Sequence, residues 1–518
     1  MFTGRRLILP LVLYLLLVAC RKDDIVEVPE ARGRVFLEAS SVSLERGGTA
    51  GIVFRCDVYS PGSNVSLRLH DGGAPKDFSL AGVSEGKVPG TCVAFISDNG
   101  VTAAYSKEVS VVVDREQSDY ICVNCGATEY PSAVDTGLPV LYIDTENGRA
   151  VESRSTDYRA VLKARGGLGK PGTSPVSCTV RGRGNTSWSW PKKPYRIDIR
   201  DRVPLLGMPA SGHWVLITNY QDRTLMRNIF SMEVASLTSL AWTPRCVPVE
   251  LVMNGEHLGN YLLMEKVEAD RDRVVISGDD CFLLESDFRY DGAVQWTDPH
   301  GLSRVLFGVP FAVKFPLPED LAPEREARIK QYVKDAADAL YSKGYDDPET
   351  GYAKWLDVDS FVDYWLVFEI LGNPELVNPS SVYFHKDTGG KLTAGPCWDF
   401  DCCLRSVGTM VQEWTGLLNR YSIWYARLFQ DTAFAEKVRR RYLELLPSLK
   451  EAVVYIDEYR QILAASAELN FSMWDPGTDR WVNQGILING DENMSFDDAV
   501  TQLREIYLRR LEMLENNL

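Results

Sequence analysis

The spacing of hydrophobic and polar residues predicts a small all-β domain near the start of the chain. Between residues 34 and 114, strand-like runs such as TAGIVFRC and TCVAFIS alternate with turn sequences such as ERGG and SDNG. Short strands separated by regular turns are typical of a β-sandwich, so we predict an immunoglobulin-like sandwich over residues 34–114. Residues 21–33 then form a polar tether, and residues 115–137 form a linker.

A second domain is predicted over residues 138–518. Its strand patterns reach about residue 318 and are interrupted by one helical stretch, residues 222–240, for which Asp222 is the predicted N-cap. Beyond residue 320 the apolar residues follow helical spacing in long runs that start near Arg325, Ser360, Ala433 and Ser495. We therefore predict an α+β fold in which a strand-rich half precedes a helix-rich half.

Residues 1–20 have the pattern of a lipoprotein signal peptide. Arg5 and Arg6 precede the apolar run LILPLVLYLLLVA, which is shorter than the ~20 apolar residues of a transmembrane helix. The run ends in LVAC, which is similar to a lipobox, so we predict that Cys20 carries a lipid; an uncleaved anchor is the alternative. The following RKDD resembles a surface-export signal and predicts a lipid-anchored chain on the outer membrane, exposed at the cell surface.

The charge balance narrows the choice of partners. The chain has 518 residues and a formal net charge of −15, with the charged content of 25% that is ordinary for a globular protein. A nucleic-acid-binding protein would show a basic stripe, so we predict that nucleic acid is not a partner. The predicted partners are the membrane, through the lipid on Cys20, and a protein or glycan at the cell surface.

The segment CTVRGRGNTSWSWPKKPYRIDI, residues 178–199, is the first candidate for chemistry. It is predicted to form a strand, a glycine-containing loop and a second strand. Gly184 lets backbone N–H groups approach an anion, and Lys193 at the start of the second strand can reach the same anion as a point charge. An ordinary hairpin with a basic, solvated edge is the alternative.

The segment GPCWDFD carries two acids, Asp399 and Asp401, on either side of Phe400. On a strand, residues two apart point to the same face, so the two carboxylates are predicted to lie side by side. Such a pair can hold a divalent cation, share a proton or cap a turn, and the spacing alone does not choose among them.

Two further segments carry clustered charges. The end of a predicted strand, MEKVE, places Glu265, Lys266 and Glu268 together, and a salt-bridge set is the simplest interpretation. The polar loop after the helix at Ser360 carries Glu375. The order of these features along the chain is informative. A glycine loop, a lysine on a strand, a helix and a hairpin come first; further helices, a polar loop with an acid and the acid pair follow. This is the order of parts in a two-lobed phosphoryl-transfer enzyme.

Five motifs together resemble the CotH kinase family: RGRGNTSW, KKPYRIDI, NYQDRTLMRN, VELVMNGEHLGNYLLMEKVE and GPCWDFD. The resemblance covers about residues 138–518. It implies an atypical protein-kinase-like fold with a strand-rich and a helix-rich lobe. It also implies ATP with Mg²⁺ or Mn²⁺ as cofactors, and phosphoryl transfer to Ser or Thr of proteins.

The resemblance assigns the nucleotide-binding residues by position. It implies that Lys193 binds the nucleotide phosphates, with Lys192 as a substitute, and that Glu233 pairs with Lys193. Glu265 and Glu268 would lie near the nucleotide base. The loop over the phosphates would consist of Arg183, Gly184, Asn185, Thr186 and Ser187.

The resemblance also assigns the catalytic and metal-binding acids. Asp399 and Asp401 match the metal position, and Glu375 matches the catalytic base. Family members carry Asp in the sequence Gly-Asn-x-Asp where this chain has Glu375, whose side chain is one methylene longer.

A second hypothesis is a catalytically inactive surface module that binds a protein or glycan. A lipoprotein that faces outward meets little ATP, and a fold alone does not fix a function. The twelve tryptophans are compatible with sugar stacking as well as with core packing.

Overall fold

The computed structural model describes residues 136–289, 293–302, 307–406 and 416–518, together with the backbone of seven strands that lie between residues 35 and 124. The predicted signal peptide, the predicted tether and the lipidation site Cys20 lie outside the described residues. Within the described part, no helix combines the length and the apolar content that crossing a membrane requires.

The seven N-terminal strands form two antiparallel sheets. One sheet has the order β1-β2-β5-β7 and the other the order β3-β4-β6. Strand β7 pairs with β5 and falls within the segment predicted as a linker. The immunoglobulin-like character of this region stays a prediction. The bounds of the seven strands are β1 Val35–Leu37, β2 Thr49–Cys56, β3 Val65–Leu69, β4 Lys76–Ala81, β5 Gly90–Ser97, β6 Ser110–Val111 and β7 Tyr120–Asn124.

The chain divides into two compact units. The first unit comprises residues 1–218 and 248–263, and the second comprises residues 219–247 and 264–518. The first contains most of a closed barrel with the strand order β10-β11-β12-β14-β13-β8-β9, in which β8 and β13 pair in parallel. The bounds of the barrel strands are β8 Val140–Thr145, β9 Tyr158–Arg165, β10 Thr173–Gly182, β11 Tyr195–Leu205, β12 Met208–Ile217, β13 Cys246–Met253 and β14 Glu256–Glu265.

The second unit combines a five-stranded sheet with helices, which confirms the predicted α+β class. The sheet order is β16-β17-β15-β18-β19, so strands occur in the half predicted to be helix-rich. The strand bounds are β15 Phe282–Ser286, β16 Gln295–Leu302, β17 Phe307–Phe315, β18 Val382–Lys386 and β19 Thr393–Ala394. The helix bounds are α1 Arg227–Ser236, α2 Pro323–Tyr341, α3 Val358–Ile370, α4 Tyr425–Leu428, α5 Thr432–Glu451, α6 Val453–Met473, α7 Arg480–Asn483 and α8 Phe496–Asn517.

Two helix predictions need correction. The helix predicted from Asp222 begins at Arg227, because the Asp222 carboxylate first accepts the N–H of Thr224 and folds the chain into a turn. The same carboxylate also accepts the N–H of Arg227, so Asp222 still binds the first helical turn. The single run predicted near Ala433 consists of two helices, α5 and α6, which are separated at Ala452.

Buried aromatic rings connect the sheet of the second unit to its helices. Phe384 of β18 lies 5.8 Å from Phe361 of α3, measured between ring centroids, and 6.1 Å from Trp424. About two turns further along α3, Phe368 lies 4.9 Å from Phe400. Because Phe400 stands between Asp399 and Asp401, the core of this unit reaches directly to the predicted acid pair.

Candidate functional site

The predicted acid pair lies in an irregular loop and not on a strand. Residues 395–404, here called the acid loop, follow the short strand β19. Asp399 has φ of +65°, in the left-handed region. This conformation ends the alternation of side chains that an extended strand would impose. The expectation that both acids point to one face of a strand was therefore wrong.

Three asparagine side chains fix consecutive residues of the acid loop. Asn373 donates from Nδ2 to the carbonyl oxygen of Asp399 at 3.2 Å. The Oδ1 atom of Asn228, on α1, accepts the N–H of Phe400 at 2.9 Å, and Nδ2 of Asn489 donates to the carbonyl oxygen of Asp401 at 3.2 Å. Each asparagine is at least 99% buried, so these hydrogen bonds are shielded from water.

Two further hydrogen bonds fix the end of the loop. Arg227 donates from Nε to the carbonyl oxygen of Cys403 at 2.9 Å. The N–H of Leu404 donates to the carbonyl oxygen of Leu371 at 2.9 Å. Hydrogen bonds from outside the loop therefore hold the backbone of the acid loop at five points between residues 399 and 404.

The acids of this region influence one another electrostatically. Burial raises the pKa of Asp401 to about 7, and the charge of Asp399 adds to the shift. Burial likewise raises the pKa of Glu375 well above its ordinary value, and the charges of Asp399 and Asp401 contribute. The structure thus brings the predicted base, Glu375, into the same electrostatic cluster as the two predicted metal ligands.

Polar contacts hold the backbone at Glu375 and the side chain of Asp399. The N–H of Glu375 donates to Oδ1 of Asn373 at 2.9 Å, and the same asparagine donates to the Asp399 carbonyl. Ser381 donates from its hydroxyl to Oδ2 of Asp399 at 3.4 Å. Asn373 therefore connects the turn that carries Glu375 to the loop that carries the acid pair.

A fully buried arginine stands behind the acid loop. Arg227 pairs with the carboxylates of Asp222 and Asp491, the latter at 2.7 Å from Nη2 to Oδ2. The negative charge of Asp222 also contributes to the raised pKa of Asp401. Two buried carboxylates around one guanidinium form a tight ionic group, and the loop backbone at Cys403 is attached to it.

The segment that supplies Asn489 and Asp491 is folded around a buried acid. Glu492 accepts the backbone N–H groups of Ile488, Asn489 and Gly490 at 2.5 to 2.8 Å. Sequence reasoning missed this segment, although NGDE combines a turn with two acids. Asn228 and Arg227 were quoted within the NYQDRTLMRN motif but received no role.

Carboxylate oxygens are the donors that Mg²⁺ and Mn²⁺ prefer. Asp399, Asp401 and Glu375 therefore fit such an ion by chemistry, and a bound cation would relieve the repulsion that contributes to the raised pKa values of Asp401 and Glu375. Within the described residues, no three His, Cys, Asp or Glu side chains are already arranged as a ligand set. Metal binding at these acids therefore stays a prediction.

The predicted phosphate loop belongs to the first unit. It follows β10, and Gly184 has φ of +81°. An ideal Cβ on Gly184 would lie 2.1 Å from the hydroxyl oxygen of Ser187, so the position requires glycine. Arg154 donates to the carbonyl oxygen of Gly184 at 2.7 Å and to Oδ1 of Asn185 at 3.2 Å. Binding of phosphate by Arg183, Gly184, Asn185, Thr186 and Ser187 is not tested by these contacts.

The two adjacent lysines occupy different environments in the first unit. Lys193 precedes β11 and donates from Nζ to the carbonyl oxygens of Trp188 and Trp190, at 2.9 and 2.6 Å. Lys192 is buried, donates to the carbonyl oxygen of Thr218 at 3.0 Å, and has its pKa lowered to about 7 by burial. Lys193 is the more accessible of the two; its predicted pairing with Glu233 stays a prediction.

Glu265 and Glu268 form ion pairs, as the salt-bridge interpretation predicted. The carboxylate of Glu265 accepts two hydrogen bonds from the guanidinium of Arg245, at 2.9 and 3.0 Å. Glu268 pairs with Arg273 at 2.5 Å and with Lys266 at 3.4 Å. Their predicted position near a nucleotide base is not tested.

A family model described as CotH kinase protein matches residues 180–514. The match covers more than half of the chain and includes both the predicted phosphate loop and the acid loop. The chain therefore belongs to the CotH kinase family, which is a kinase-like class of protein. No curated protein matches the chain.

The buried ionic group predicts a large effect of removing its cation. We expect Arg227→Met to leave Asp222 and Asp491 as uncompensated buried charges and to lower the free energy of unfolding by about 3–5 kcal/mol. Arg504→Met is the matched control, because Arg504 is 43% exposed and lies 3.8 Å from the half-exposed Asp457. Denaturant unfolding measures both, and equal losses in the two variants would contradict the ionic constraint.

The raised pKa of Asp401 predicts a pH dependence of stability. The folded chain retains a proton that the unfolded chain releases at about pH 4. The stabilising contribution of that proton is therefore complete below about pH 4 and is lost as pH rises through about 7. We expect Asp401→Asn to flatten the stability profile across this window, whereas Asp346→Asn, in an exposed turn, does not. Parallel profiles for wild type and Asp401→Asn would show that the Asp401 proton is not linked to folding.

Proposed function

We propose that the chain is a metal- and ATP-dependent phosphotransferase that acts on Ser or Thr of proteins. The observation that supports the proposal best is the electrostatic cluster of Asp399, Asp401 and Glu375 on backbone held by buried side chains. Its fixed backbone is suited to catalysis, because preorganised charges need little rearrangement when the reaction occurs.

In this proposal Asp399 and Asp401 hold Mg²⁺ or Mn²⁺. The ion would neutralise charge on the donor phosphates. Glu375 is the base that accepts the proton of the substrate hydroxyl. Its raised pKa brings the carboxylate closer to the pKa that suits a base at neutral pH.

The nucleotide-binding part of the proposal rests on the family. Lys193 and the loop of Arg183 to Ser187 are proposed to bind the phosphates of ATP, with Lys193 acting as a point charge. Glu265 and Glu268 are proposed to lie near the base through the Arg245 and Arg273 ion pairs that fix them.

We also propose that lipid on Cys20 anchors the chain in the cell envelope, at the outer surface. The proposal is supported by the LVAC and RKDD sequences. With this anchor, the kinase-like domain would lie at the cell surface, and its partner would be a protein or glycan found there.

One observation favours the second hypothesis, a non-catalytic binding module. The Lys193 ammonium is engaged by the carbonyl oxygens of Trp188 and Trp190. A lysine whose ammonium only stabilises its own loop by hydrogen bonds would not be available to bind phosphates.

The test is ATP binding and autophosphorylation of the purified full chain, with and without Mg²⁺ or Mn²⁺. We expect Asp401→Ala to reduce the phosphorylation rate by roughly 10²–10³, as for loss of one preorganised charge-stabilising group. Asp346→Ala, in an exposed turn, is the matched control and should retain the rate. Lys193→Met should weaken ATP binding.

The outcomes separate the two hypotheses. Unchanged phosphorylation in Asp401→Ala would exclude the assigned metal role. Absence of ATP binding by the wild-type chain, with or without metal, would favour the binding module.

A further inference from the structure

A cavity in the second unit lies apart from the residues assigned above. Its volume is about 260 Å³, and none of its lining residues belongs to the acid loop or to the turn of Glu375. The apolar part of its wall comes from Phe282 of β15 and from Ile329 and Tyr332 of α2. This volume is slightly below the ~300–1,000 Å³ of drug-sized ligand sites, so the cavity suits a molecule with one ring.

A buried lysine lines this cavity. Lys386, the last residue of β18, is only 6% exposed. Its Nζ donates to the carbonyl oxygen of Asp387 at 3.0 Å and lies 4.9 Å from the ring centroid of Tyr332. An ammonium has three N–H donors. Besides the bond to Asp387, Lys386 can therefore donate hydrogen bonds to a ligand in the cavity.

Arg325 adds a second cation with unused capacity. Its Nη2 donates to the carbonyl oxygens of Gly278 and Cys281, at 3.3 and 2.9 Å. Its Nε is buried and has no hydrogen-bond partner among the described residues. Among the residues that the structure describes, neither Arg325 nor Lys386 forms an ion pair with a carboxylate. Because a guanidinium has five N–H donors, the donors of Arg325 other than Nε can form hydrogen bonds to a carboxylate in the cavity.

Acids lie at the more exposed part of the cavity wall. Asp280 pairs with Arg328 at 3.2 Å, and Asp335 accepts a hydrogen bond from Gln331 at 2.7 Å. Asp279 and Asp280 are exposed, in contrast to the buried Lys386. The cavity therefore has one buried lysine, a half-buried arginine and exposed acids at its rim.

We propose that this cavity binds a small carboxylate that carries a ring and also ammonium or hydroxyl donors. The carboxylate would accept hydrogen bonds from Lys386 and Arg325. The ring would contact Phe282 and Tyr332, and the donors would reach Asp279 or Asp335. An amino acid with an aromatic side chain and a sugar acid both have this chemistry.

The experiment is calorimetric titration of the full chain with L-phenylalanine and with D-glucuronate, each compared with its carboxamide, in which an uncharged amide replaces the carboxylate. We expect at least one of the two carboxylates to bind, and Lys386→Met to weaken that binding by roughly 10- to 100-fold, the effect of losing a hydrogen bond to a charged group. Lys386→Arg should retain most of the affinity. Lys343→Met, at an exposed lysine outside the cavity, is the matched control.

The two titrations show which class of carboxylate the cavity binds, because one uses an amino acid and the other a sugar acid. Binding that Asp401→Ala leaves unchanged would support a site separate from the proposed metal. The proposal is overturned if neither carboxylate binds, or if the carboxamides bind equally well. It is also overturned if Lys386→Met, shown to be folded by circular dichroism, retains full affinity.

Discussion

The acid loop depends on buried ion pairing around Arg227. A guanidinium, two carboxylates and the Cys403 carbonyl meet where water is excluded, so none of them has an alternative partner in solvent. Removing charges from water is costly, and the guanidinium offsets part of that cost because it pairs with both carboxylates. This constraint fixes α1, the 489–491 segment and the acid loop together. The raised pKa values of Asp401 and Glu375 arise first from burial and then from the negative charge of neighbouring acids, with Asp399 the largest charge contribution to both.

Much of the secondary structure follows from local periodicity. The helices α2, α3 and α8 were predicted within a few residues of their bounds. Helices α2 and α8 each bury an apolar stripe that repeats with the helical period, whereas α3 is buried on all sides from Ser360 to Ile370. The start of α1 was placed too early, because Asp222 folds a turn before the helix begins. The break at Ala452 was missed, because apolar spacing continues through it. The pairing of β15, β17 and β18 into one sheet joins strands up to about a hundred residues apart, which periodicity does not encode.

The candidate site could be predicted only in part. GPCWDFD indicated which carboxylates to consider, and family resemblance added Glu375. The loop geometry was beyond local reasoning, since the left-handed backbone at Asp399 depends on its surroundings. The supporting asparagines are distant in sequence: Asn228 binds the loop across 172 residues and Asn489 across 88. An isolated asparagine has no sequence pattern that distinguishes such a role from a surface residue.

The central claim is that the acid loop presents Asp399 and Asp401 as ligands of a divalent cation. The most direct test is a crystal structure of the chain with Mn²⁺, with diffraction data collected at the manganese absorption edge. The account predicts an anomalous peak within coordination distance of carboxylate oxygens of Asp399 and Asp401. An ordered acid loop without a peak at these two residues would contradict it.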